Sequence, residues 1–237
     1  MTKEEERRRR RDFSRRLRAW YRRNGRDLPW RKTRDPYRVL VSELMLQQTQ
    51  VSRVLGYYDR FLDRFPTLVD LARARPRQVR EAWEGLGYYA RARNLHRLAR
   101  EVTRVGSVHN EQLPDDPGRL RELPGIGEYT AGAVASFAYE RRAALVDTNV
   151  ARVVRRAFAP RADFKTAAGK KAIWEIAALL LPRTGRASWT HNQALMELGA
   201  LVCTARVARC GDCPVRRECL TGQTRCSGPM PLVAGHE

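Results

Sequence analysis

Four cysteines crowd the C-terminal part of the 237-residue chain, spaced Cys203-x6-Cys210-x2-Cys213-x5-Cys219. Thiolates this close in sequence can all reach one metal centre, and in a reducing compartment clustered cysteines are more often ligands than disulfides. A zinc ribbon sets two CxxC knuckles across a longer gap, whereas here only Cys210 and Cys213 form such a pair. The spacing therefore favours a 4Fe-4S cluster over zinc. Cys226 lies outside the pattern and reads as a spare thiol.

Two carboxylates invite a different chemistry. Glu43 sits in the apolar run Leu40-Val-Ser-Glu-Leu-Met-Leu, which ends in Gln47, Gln48, Thr49 and Gln50. A carboxyl with apolar neighbours tends to stay protonated toward neutral pH, as a general acid must, although the default for a single glutamate is a solvated helix face. Asp147 follows Leu145 and Val146 in a short strand-like stretch and stands where an N-cap is expected, a structural role common for aspartate. Between them lies Leu123-Pro-Gly-Ile-Gly-Glu-Tyr-Thr-Ala-Gly132. Gly125 and Gly127 there permit a tight hairpin whose backbone N–H groups open the next helix and can hold a phosphate, though a plain turn between helices uses similar residues.

The elements that must position these groups are helical. Apolar-periodic, charged stretches run the length of the chain, and alternating β-branched runs are nearly absent, so an all-α fold is expected. Helices are placed at 12–24, 36–47, 50–65, 67–74, 76–83, 91–105, 116–121, 129–139, 148–158, 168–181 and 188–201, with Gly or Pro in most gaps. Residues 227–237 read as a loose tail.

Lys plus Arg number 46 against 26 Asp plus Glu, a formal net charge of +20. Such an excess points to a polyanionic partner and away from an ordinary metabolic enzyme. No run of about 18 apolar residues and no signal-peptide core is present, so no membrane partner and a cytoplasmic, nucleoid-associated protein of a bacterium or archaeon are expected.

Taken together, several segments resemble the MutY adenine glycosylases of the endonuclease III, helix-hairpin-helix superfamily: LPWR ending at Arg31, SELMLQQTQV from Ser42, WEGLGYYARARNLH from Trp83, the LPGIGEYTAGA hairpin, VDTNVARV from Val146, and NQALMELGALVCT running on to the last cluster cysteine. The resemblance spans residues 12 to 220 in the right order. It implies a six-helix barrel domain carrying the hairpin at 31–141, and a second domain in which 1–30 joins 142–226 and holds a 4Fe-4S cluster on Cys203, Cys210, Cys213 and Cys219. It also implies a monomer whose partner is double-stranded DNA with a mismatched or damaged base pair.

By the same resemblance Glu43 protonates the departing purine and handles the water, and Asp147 stabilises the oxocarbenium-like sugar with Asn149 orienting it. Tyr129 lies in the base pocket. Gln48 wedges the opened stack, and Arg31, Leu46, Gly125 and Gly127 contact DNA. Glu197 is expected either to assist or to pack a helix. The lyase members carry a lysine where this chain has Tyr129, and none of Lys3, Lys32, Lys165, Lys170 and Lys171 lies in the hairpin. Water is therefore the expected nucleophile, leaving an abasic site without strand cleavage. The expected function is removal of adenine mispaired with guanine or 8-oxoguanine in base excision repair.

Two features depart from the pattern. Thr148 stands where many members have Gly, and the 18 residues after Cys219 leave no room for a domain that reads 8-oxoguanine. Both are shared with thymine mismatch glycosylases, so removal of thymine or uracil opposite guanine is the alternative. A non-catalytic iron-sulfur DNA-binding protein is a third, disfavoured by the presence of both Glu43 and Asp147.

Overall fold

The computed structural model describes residues 2–109 and 111–224. The expected tail at 227–237 and the spare Cys226 lie outside the described residues. Helices follow in the order α1 (Lys3–Asn24), a 3-10 turn (Pro29–Arg31), α2 (Pro36–Leu46), α3 (Val51–Arg64), α4 (Leu68–Arg73), α5 (Pro76–Ala82), α6 (Ala90–Val102), α7 (Pro117–Arg121), α8 (Glu128–Phe137), α9 (Thr148–Phe158), α10 (Ala167–Leu180), α11 (Gly185–Leu201), a second 3-10 turn (Arg216–Glu218) and α12 (Leu220–Thr224). No strand forms among the described residues, and the stretch before Asp147 is neither helix nor strand. The fold is all-α. No described helix is long and apolar enough to cross a membrane.

The largest correction is at α1, which starts at Lys3 and not at Asp12. Apolar periodicity begins only near Phe13, but the helix is nucleated earlier by a capping box. The Thr2 hydroxyl accepts from the Glu5 N–H at 3.2 Å, the Glu5 carboxylate accepts from the Thr2 N–H at 2.6 Å, and Glu4, Glu5 and Glu6 face the positive end of the helix dipole. At its other limit α6 stops at Val102, three residues short of expectation.

The chain divides into two compact units. One comprises residues 26–145 and 183–189. Its central helix is α2, in which Tyr37 and Val39 to Met45 are all buried, so it must be enclosed by neighbours on nearly every side. Helices α3, α6 and α8 pack on it. On another side of α8 the chain at Ala144 passes close by: a Cβ on Gly132 would stand 2.1 Å from the Ala144 carbonyl oxygen.

The other unit comprises the described residues within 1–25, 146–182 and 190–237. Helix α1 enters its core through Phe13 and Leu17, both fully buried, and Phe13 meets Phe158 edge-on with centroids 4.9 Å apart. Ser14 Oγ lies 3.0 Å from His191 Nδ1, and burial pushes that imidazole down to about 3, so it stays neutral as a core residue.

Candidate active site and thiol cavity

In the unit built around α2, Glu43 is 4% exposed and accepts a hydrogen bond from the Tyr129 hydroxyl at 2.7 Å. Tyr129 belongs to the first turn of α8, directly after the hairpin. The packing of α8 on α2 therefore brings together two residues 86 positions apart in sequence. The default of a solvated glutamate does not hold for Glu43. One turn further on, Gln47 Nε2 approaches Thr130 Oγ1 at 3.4 Å.

The hairpin forms as its residues demand. Ile126 N–H donates to Leu123 O at 3.2 Å, and Leu123 and Ile126 are buried while Gly125 and Gly127 are exposed. Gly125 has φ +79°, and any Cβ there would also meet the Asn94 Cβ at 2.6 Å, so glycine is required twice over. Gly127 has an ordinary negative φ and serves as the N-cap of α8, with open space around its Cα that leaves its N–H end accessible.

Gln48 is exposed at φ +54°, just past the end of α2, and Leu46 is the half-buried last residue of that helix. Arg31 is half-buried and donates to the Arg26 carbonyl at 2.9 Å, which fixes it in the loop before α2.

In the other unit Asp147 is the N-cap of α9. Its Oδ1 accepts from the Val150 N–H at 2.6 Å and its Oδ2 from Asn149 Nδ2 at 3.0 Å. Burial pushes the Asp147 carboxyl above its ordinary value, while these donors and the Arg152 guanidinium pull the other way. The N-cap reading and the catalytic reading are thus compatible: the capping bond fixes the carboxylate, and partial burial makes its charge count. Asn149 is in turn held by Arg152, whose Nη2 donates to Asn149 Oδ1 at 2.6 Å and to Gly199 O at 2.8 Å, while its Nε donates to Cys203 O at 2.8 Å. Sequence reasoning missed Arg152 and Gly199. A Cβ on Gly199 would lie 2.6 Å from the Asn149 Cβ, so α11 reaches α9 only through glycine. Spacing offered one signal, since Arg152 stands one helical turn after Asn149. Glu197 is fully buried within α11.

The four cysteines line one apolar cavity together with Arg156, Arg209 and Arg216. Burial pushes the Cys213 thiol up to about 12, and Cys219 rises for the same reason, so thiolates here need a compensating positive charge. Arg156 Nη1 supplies part of it, 3.3 Å from Cys203 Sγ. Among the described residues no group of three or more His, Cys, Asp or Glu has the geometry of a metal site. All four thiols line this one cavity, and a donor set of four cysteines fits an iron-sulfur cluster.

Residues 41–178 match the family described as HhH-GPD superfamily base excision DNA repair protein. The chain belongs to that family. The match takes in Glu43, the hairpin, Tyr129 and Asp147, the groups assembled in the two units above. Among curated relatives of this HhH-GPD protein, the adenine DNA glycosylase of Mycobacterium tuberculosis is 48% identical over 200 residues, covering 84% of the chain and 64% of the relative. That of Rattus norvegicus is 41% identical over 231 residues, covering 94% and 44%. The chain thus spans about half the length of the curated relatives it matches. Among solved structures, a thermostable thymine-DNA glycosylase aligns with TM-score 0.81 at 30% identity, covering 92% of the chain and 98% of that structure. A non-covalent endonuclease III–DNA complex aligns at 0.70 and 23% identity, covering 90% and 95%, and establishes the endonuclease III-like fold.

Proposed function

We propose that the chain hydrolyses the N-glycosidic bond of adenine mispaired with guanine or 8-oxoguanine in double-stranded DNA, without cutting the strand. The observation that carries this reading is the 2.7 Å bond from the Tyr129 hydroxyl to the buried Glu43 carboxyl. Adenine leaves readily once a ring nitrogen is protonated, and a carboxyl enclosed by apolar residues, its position fixed by the phenol, can deliver that proton. Tyrosine occupies the place where a lyase needs an amine nucleophile, so no Schiff base forms and water completes the reaction. The base must leave the stack to be reached, which gives Gln48 and the hairpin N–H groups their work. Asp147, held by Asn149, places negative charge against the oxocarbenium-like sugar.

Cys203, Cys210, Cys213 and Cys219 would hold a 4Fe-4S cluster. Iron held there would offset the charge of the four half-buried thiolates and tie residues 203–219 into one fold. Arg206 and Arg217, exposed on that segment, would then present guanidinium groups to phosphates.

The test measures base release and strand scission separately on duplexes containing A·G, A·8-oxoguanine, G·T and G·U. Release of adenine, with strand breaks appearing only after alkali, is the expected result. The second reading, removal of thymine or uracil opposite guanine, is favoured by the near-complete coverage of the thymine-DNA glycosylase structure. Faster release from G·T or G·U than from A·G would establish it in place of the first.

A further inference from the structure

Arg91 is 8% exposed and has no ion pair with a carboxylate among the described residues, although burial disfavours its charge. Its guanidinium is spent on backbone. Nη1 shares its two N–H among Leu44 O at 2.7 Å, Met45 O at 2.9 Å and Gln47 O at 2.5 Å, which are carbonyls at the C-terminal end of α2 that no further helical turn would satisfy. Nη2 donates to Leu86 O at 3.1 Å and Gly87 O at 3.0 Å. Both nitrogens lie 3.3 Å from Thr49 Oγ1. One side chain at the start of α6 therefore ties the turn after α2 to the turn before α6.

Each of these two turns carries a non-glycine residue in the left-handed region, Gln48 at φ +54° and Tyr88 at φ +46°. Gln48 is exposed, and Tyr88 is 62% exposed, among the most exposed large apolar side chains described. A bulky residue in that conformation is strained and persists only where its surroundings hold it, a pattern that marks functional turns. The other face of the Arg91 guanidinium looks onto the Tyr88 and Trp83 rings, each 5.5 Å from its centre. Helix capping alone accounts for the bonds to Leu44, Met45 and Gln47; it does not account for the same group reaching the second turn.

We propose that Arg91 is a positioning residue that clamps the two turns into one rigid element, so that Gln48 and Tyr88 enter an opened base stack together. The proposal rests on the base-removal reading above. Lysine cannot replace the fork, because an ammonium is a point donor with three bonds to give and the acceptors lie on two separate turns.

The experiment uses the full chain and duplexes with 2-aminopurine beside the target adenine, whose fluorescence rises on unstacking. Arg91→Lys should keep its circular dichroism and its affinity for an undamaged duplex, while the unstacking signal and the single-turnover excision rate fall together by about tenfold or more. In a Gln48→Ala background the same substitution should cost less than about twofold, because the two changes disable one element. Excision that falls with the unstacking signal intact, or effects of Arg91→Lys and Gln48→Ala that multiply, would overturn the clamp. Hydrogen exchange on the unaltered chain needs no variant: the amides of residues 47–49 and 86–88 should open as one cooperative unit, and independent opening refutes the proposal. Should the unaltered chain unstack the duplex yet release no base, the functional reading fails while the unstacking and exchange results still decide the clamp. No unstacking by the unaltered chain overturns it.

Discussion

Replacing Asp147 by Asn separates what this residue does for the reaction from what it does for the fold. A carboxylate about 4 Å from a full positive charge, at an effective dielectric near 20, is worth about 4 kcal/mol. The sugar at the transition state carries only part of that charge, so the loss should be about 2–4 kcal/mol, or about 30- to 1000-fold in rate. Stability should hardly change, for three reasons that partly cancel. Asparagine caps helices as well as aspartate does, so the Val150 N–H keeps its acceptor. Burial raises the Asp147 carboxyl, which means that its ionised form weighs against folding above that value, and the substitution removes this penalty. Against these gains, the new amide turns a donor toward Asn149 Nδ2, and Asn149 cannot turn freely because its Oδ1 accepts from Arg152. One lost hydrogen bond costs about 1 kcal/mol. The melting temperature should therefore move by no more than about 4 °C in a chain of this size. Single-turnover excision on an A·G duplex and thermal unfolding under the same buffer give both quantities. A rate loss below about tenfold, or a melting drop above about 8 °C, would show that Asp147 is first a structural cap and refute the charge argument.

Three further outcomes are expected. Because burial raises the Asp147 carboxyl while the Asn149 amide lowers it, Asn149→Ala should shift the acid limb of the excision profile to higher pH; a shift to lower pH would reverse the sign of the argument. Gly125→Ala should weaken specific DNA binding by about tenfold and lower stability by about 1–3 kcal/mol, because the added methyl enters a left-handed position already pressed by Asn94; gel-shift titration and urea unfolding read both, and an unchanged affinity would remove the hairpin from the interface. Protein prepared without oxygen should contain about four irons and four sulfides per chain, and Cys213→Ser should lose them along with DNA affinity; stoichiometric zinc would exclude the cluster.

Much of this was legible in the sequence because the relevant signals are local. Proline, glycine and the turn of apolar periodicity mark α2, α8 and α9, and the hairpin residues dictate their own geometry. Asp147 is readable as an N-cap from its position alone. What was not legible depends on contacts distant in sequence. Tyr129 and Glu43 meet only because α8 packs on α2, and only that packing distinguishes Glu43 from a surface glutamate. Arg152 and Arg91 look like any other arginines in a chain so rich in them. Their roles come from carbonyls 44 to 51 residues away, at Cys203 and Gly199 for one and at Leu44 to Gln47 for the other. The start of α1 was misplaced for the opposite reason: its first turns are set by caps and charge, which apolar periodicity does not register.

The course of chain α1 through its unit has a consequence for synthesis. Its partners are Ala157 for Arg9, His191 for Ser14 and Glu218 for Arg16. Helix α1 therefore finds its last partner late, since about two hundred residues separate Arg16 from Glu218, a wait of about 10–40 s at ribosomal rates of 5–20 residues per second. Residues 26–145 meet most of their neighbours well before that. Until Phe158 and the segments after it emerge, Phe13 and Leu17 lack their cover, and a nascent helix with a bare apolar stripe is prone to stick to others. The run Arg7 to Arg11 beside that stripe sets like charges against one another wherever two copies of the helix meet, which disfavours such association.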